Sequence, residues 1–136
     1  MQLQWHYESR PDLGILALAG SLGAKGAPRL HGATGWALYH GAGPLIMDLA
    51  AVTEWTTLGQ GEIIRTALRL SEAGRTLEIA AAPGPVPAFI STSGQPAITV
   101  HADLAAALAA HGAPAEPTGE FREWRSGGWP HPNTRF

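Results

Sequence analysis

Two adjacent threonines, Thr56 and Thr57, precede Gly59 and Gly61 in the stretch VTEWTTLGQGEII, residues 52–64. Hydroxyls and glycines at this spacing can do one of three things. They can cradle a bound phosphate, accept one from a kinase, or cap a helix. A dinucleotide-binding loop needs a third glycine three residues after the second, and this chain has Ile64 there. A Walker loop needs Gly-Lys-Ser/Thr, which occurs nowhere in the chain. The phosphate-cradle reading therefore falls. Thr57 followed by Gln60 fits a capping box, in which each side chain bonds the other residue's backbone N–H.

Other chemistry is thinly supplied. The six histidines, His6, His31, His40, His101, His111 and His131, include no pair three or four apart on a helix face, and no carboxylate is spaced to complete a metal site. No metal and no cofactor are expected. No serine lies in a Gly-x-Ser-x-Gly elbow, and the segment STSG (91–94) reads as a helix-ending turn. Cysteine is absent, which excludes disulfides, thiolate catalysis and cysteine-ligated zinc. With no acid–base pair or nucleophile in view, the expectation is a non-enzymatic protein. A net charge of −2 supplies no basic field for nucleic acid. Arg122, Arg125 and Arg135 interleave with aromatic residues near the C-terminus, but three arginines make a weak single-strand-binding signal.

The elements that must position these residues follow from periodicity. A chain of 136 residues, 45% hydrophobic and 15% charged, suits one globular domain. No apolar run is long enough to span a membrane, and MQLQWHYESR lacks a signal peptide's basic start and apolar stretch, so a cytoplasmic location is expected. Leu3, Trp5 and Tyr7 alternate with polar residues as in a half-buried strand, and LGILALAG from Leu13 completes a hairpin. Pro28 suits a first helical turn, and Leu30, Ala33, Ala37 and Leu38 fall at helical spacing. PLIMDLA (44–50) reads as a buried strand, and a helical stripe of Ile63, Ile64, Ala67, Leu68 and Leu70 follows, closed by Gly74. TLEIAA (76–81) and AITVH (97–101) are further strands, the segment PGPVPAFISTSG between them turns into a short helix, and DLAAALAAH is a last helix. Alternation of this kind predicts an α/β fold: a mixed sheet of about five strands with about four helices, as one domain over residues 1–112. Residues 113–136 are rich in proline and glycine without periodicity, and read as a tail, flexible or docked as irregular chain.

This order of elements resembles the STAS domain of anti-anti-sigma factors, over roughly residues 3–111. ILALAGSLGAKGAPRL is similar to that family's second strand, Gly-Glu-Leu-Asp turn and first helix start, and PLIMDLAAVTEWTTLGQGEII to its third strand, loop and second helix. AGRTLEIAAAPGPVPAFI and ITVHADLAAALAA look like its later strands with the turn and helix that follow. Anti-anti-sigma factors carry Asp-Ser-Ser-Gly at the second helix start and are phosphorylated on the first serine. Aligned on Gly59, Thr57 takes the acceptor position, while Thr56 replaces the aspartate and Leu58 the second serine. Gly20-Ser21-Leu22-Gly23 likewise replaces the acidic turn.

The resemblance implies partner switching. The chain would dock onto an anti-sigma factor or a serine/threonine kinase of the histidine-kinase-like ATPase fold, with Thr57, or its neighbour Thr56, as phospho-acceptor. The implied contact surface joins loop 20–25 to residues 54–62, with Gly23, Lys25, Trp55, Leu58, Gly59, Gln60 and Glu62 as contact residues. Phosphate at a helix N-terminus sits among free N–H groups and adds about −1.5 to −2 charges to the surface. Two alternatives stand beside this reading. One is a scaffold or subunit STAS protein, in a signalling or lipid-transport assembly, that needs no phosphorylation. The other is a small-ligand-binding STAS domain.

Overall fold

The computed structural model describes residues 2–86 and 97–129. Two strands, β1 (Gln4–Ser9) and β2 (Gly14–Leu22), form the expected hairpin, followed by α1 (Gly26–Tyr39), β3 (Leu45–Trp55) and α2 (Thr57–Glu72). Then come β4 (Leu77–Ala80), β5 (Thr99–His101), α3 (Leu104–Ala110) and β6 (Arg122–Arg125). The sheet order is β5-β4-β3-β2-β1-β6. β2, β3, β4 and β5 run parallel, while β1 is antiparallel to both of its neighbours. The chain is thus an α/β protein with a mixed sheet, and three helices lie among the described residues. The short helix expected in PGPVPAFISTSG falls mostly on residues 87–96, outside the described part.

Side-chain alternation along the central strands explains the layering. Leu16, Leu18, Met47, Leu49 and Ile79 project to one face, where they bury Leu30, Ala33 and Ala37 of α1 and Ile63, Ala67 and Leu70 of α2. Ile15, Ile46 and Ala80 project to the other face, against Ala107 and Leu108 of α3. Strands covered on both faces must be apolar at consecutive positions, which is why PLIMDLA shows no alternation. Between α1 and α2, Thr66 donates its hydroxyl to the Glu62 carbonyl at 2.9 Å and lies 3.3 Å from the Thr34 hydroxyl. At the far end of α1, the buried Arg75 guanidinium donates to the Ala37 and Gly43 carbonyls at 2.9 and 2.7 Å. It satisfies a helix C-terminus that has no basic residue of its own in the last turn.

The C-terminal region corrects the expectation of irregular chain. Residues 122–125 add a sixth strand, pairing His6 with Arg125 through Ser9 with Arg122. Trp124 stacks on the buried Tyr7 ring at 5.7 Å, and Glu123 bonds His6 at 2.8 Å. Arg10 holds the approach to this strand, donating to the Pro114 and Ala115 carbonyls at 2.8 and 3.0 Å. A four-residue strand whose single apolar residue is one tryptophan carries too little pattern to stand out in sequence.

Asp48, in the first half of β3 opposite the last residue of β4, carries a destabilising charge. Burial holds the Asp48 carboxyl above the usual carboxylate range, against a lowering bond from the Ala50 N–H, and the charge of Asp103 raises it further. A carboxyl with a raised folded-state pKa binds more protons folded than unfolded. Stability is therefore lost as pH rises from the unfolded value through the folded one. Asp48→Asn can keep the Ala50 bond, so it is expected to raise the urea midpoint at pH 7. The gain should fade as pH drops well below 3.8, where Asp48 is protonated in both the folded and the unfolded state.

Candidate functional site

The parallel pairing of β2 with β3 brings the two predicted loops together, because Ser21 lies opposite Glu54 and Leu22 opposite Trp55. The Ser21 hydroxyl donates to Glu54 at 3.0 Å, and the Thr56 N–H donates to the Leu22 carbonyl at 3.0 Å. β2 continues through the segment read as a turn, so Gly20 to Leu22 are strand and the turn is confined to Gly23–Lys25. The starts of α1 and α2 then lie side by side with the Gly23–Lys25 turn between them. A cleft of about 640 Å³ on one side is lined by Lys25, Ser21, Glu54 and Thr56. A second groove of about 490 Å³, between α1 and α2, is lined by Pro28, His31, Thr57, Leu58, Gly61 and Arg65, with Glu62 behind them.

The cap is one residue earlier than the sequence pattern predicts. Thr56, in extended conformation, is the N-cap of α2: its Oγ1 accepts from the Gly59 N–H at 3.4 Å, and its carbonyl accepts from the Gln60 N–H at 2.9 Å. Thr57 is therefore the first helical residue and cannot form the predicted capping box with Gln60. Its side chain is exposed and makes no hydrogen bond among the described residues. Thr56→Ala is expected to lower the unfolding free energy by about 1 kcal/mol, and Thr57→Ala by no more than about 0.5 kcal/mol. Paired urea titrations followed by tryptophan fluorescence measure both, and equal losses would return the cap to Thr57.

The predicted contact residues divide into three groups. Leu58, 63% exposed, Lys25 and Thr57 stand at the surface, and Gln60 is half-buried. Trp55 is also half-buried, packed on the main core. Gly23 is buried, and a Cβ there would come within 3.3 Å of the Thr56 side chain. Gly59 is buried as well: a Cβ there would lie 2.8 Å from Leu22 Cγ and closer still to the Leu22 carbonyl oxygen. The close approach that requires this glycine is thus intramolecular. Glu62 is likewise not a surface group, since its side chain is only 4% exposed. Besides Lys25, two further basic side chains that the sequence reading did not include, Arg65 and His31, line the groove beside Thr57. The i, i+4, i+8 spacing of Thr57, Gly61 and Arg65 on one helix carries that signal.

Elsewhere, Glu78 on β4 accepts from His101 at 2.6 Å and from His111 at 2.7 Å, tying β5 and the end of α3 to the sheet. These are satisfied polar groups, and among the described residues no set of three or more acidic or histidine side chains is arranged to hold a metal ion. No described helix is long and apolar enough to cross a membrane.

No protein-family model matches the chain, and no curated protein matches it in sequence. Among solved structures, the crystal structure of Mglu in its native form is similar over 54% of this chain, at 25% identity and a TM-score of 0.45. The similar part takes in 21% of that chain, so this protein spans well under two thirds of its length.

Proposed function

We propose that this chain is a non-enzymatic regulatory protein of the STAS type, and that it works by docking the starts of α1 and α2 onto a partner protein. The partner is an anti-sigma factor or a serine/threonine kinase of the histidine-kinase-like ATPase fold, and phosphorylation of Thr57 releases it. One observation carries the switch. Capping is done by Thr56, so the Thr57 hydroxyl has no structural task and stands exposed in the first turn of α2. A phosphate placed there meets unpaired N–H groups rather than a packed neighbour. The order of elements supports the family reading, since each described element that matches a STAS strand or helix occurs in the expected sequence. The exposed Leu58 beside Thr57 supplies apolar contact area that a neighbouring charge would spoil.

The test is to incubate the protein with kinases of that class and ATP and to map the product by mass spectrometry. Modification at Thr57, abolished in Thr57→Ala, is expected. Complete absence of modification at Thr56 and Thr57 with a kinase that binds the protein would sink the switch and leave a permanent scaffold contact.

A further inference from the structure

The groove between α1 and α2 has a carboxylate behind its apolar wall. Glu62 Oε1 lies 3.4 Å from Arg65 Nη1, a guanidinium whose side chain is 75% exposed. Glu62 Oε2 is buried and has no hydrogen-bond partner among the described residues. His31 Nδ1 lies 3.4 Å from it without forming a hydrogen bond. Arg69 Nη1 lies 3.1 Å from the same Nδ1 and donates to the His31 carbonyl at 3.0 Å. A carboxylate withdrawn from water without its full set of donors is costly, and a ligand that brings a donor relieves that cost.

We infer that this groove receives one basic side chain, arginine or lysine, of the docked partner protein, with its head group donating to Glu62 Oε2. The observations choose a cation on an aliphatic stem. Pro28, Ala27 and Leu58 offer an apolar wall for methylene groups, and a charge-assisted bond is about twice as strong as a neutral one. His31, 61% exposed, and Arg65 cover the carboxylate from the solvent side and can swing outward to admit the head group. The oxygen already facing Arg65 is not the one the ligand uses, so the carboxylate would sit between two cations. This inference rests on the docking reading above but not on phosphorylation of Thr57.

The experiment is a heteronuclear NMR titration of the labelled full chain with N-acetyl-arginine methylamide. N-acetyl-norleucine methylamide serves as the neutral match and butylguanidinium as a free small cation. The arginine probe is expected to shift the amides of Thr57–Arg65 and Ala27–His31, with the norleucine probe at least tenfold weaker. Glu62→Gln, which keeps the shape and the backbone bond to Thr66, should lose the arginine response at least tenfold. Should that variant fold poorly, Leu58→Ser at an exposed position is expected to weaken the arginine probe severalfold without changing the rest of the spectrum. Equal binding of arginine and norleucine, or an unchanged response in Glu62→Gln, overturns the inference. So does butylguanidinium binding tenfold more tightly than capped arginine, which would make the groove a small-cation site. Shifts that depend on Glu62, in a protein whose partner capture ignores Thr57→Glu, would instead uphold the groove and reject the switch.

Discussion

Phosphothreonine at position 57 is expected to weaken partner binding at least about a hundredfold while leaving the free protein as stable as before. The two effects separate because of where the residue sits. In the free protein, Thr57 is the first residue of α2, exposed, with its own amide and that of Leu58 in the turn that has no carbonyl above it to bond. The helix dipole favours negative charge there by about 0.3–1 kcal/mol, so the melting temperature should hold or rise slightly. In the complex, the same group lies beside Leu58, and a partner covering it must desolvate about two negative charges or meet them with like charge. Such juxtaposition costs several kcal/mol, and each 1.4 kcal/mol is tenfold in affinity. Thr57→Glu should reproduce part of the loss and Thr57→Ala none of it. Titration calorimetry against the captured partner, with thermal unfolding alongside, reads both quantities. A phosphoprotein that unfolds early would mean that Thr57 is a structural residue after all.

The two glycines of the α2 start are expected to respond oppositely to alanine. Gly59→Ala should lower the unfolding free energy by at least about 2 kcal/mol, because the new methyl meets the Leu22 backbone, which no rotamer change can clear. The start of α2 must then shift, and with it the Thr56 amide bond to Leu22. Gly61→Ala meets nothing within 4 Å and gains helix propensity, so it should stabilise by up to about 1 kcal/mol. Chemical denaturation of the two single variants decides this. A neutral Gly59→Ala would show that the helix start is not pinned to β2.

What the sequence determined by itself is the local pattern and its order. Consecutive apolar residues in PLIMDLA, a 3.6-residue stripe from Ile63 to Leu70 and the alternation of Leu3, Trp5 and Tyr7 are imposed by burial on two faces, on one stripe or on one face. They were legible because each repeats over several residues. They sufficed for an α/β sheet; that residues 20–25 and 54–62 share one surface was implied by the resemblance, and the parallel pairing of β2 with β3 brings the two segments together.

What only the tertiary structure decided depends on single contacts. The cap passes from Thr57 to Thr56 because the Leu22 carbonyl holds the Thr56 amide and sets where α2 begins, a long-range bond with no periodicity. Residues 122–125 become a strand because β1 offers an open edge and Tyr7 a ring for Trp124 to stack on. Glu62 looked like a surface acid on a helix start, yet the approach of α1 buries it behind Pro28 and His31 and leaves one oxygen without a hydrogen-bond partner among the described residues. Burial of a single side chain is a property of what packs over it, and the neighbour that does so lies some thirty residues away in the chain.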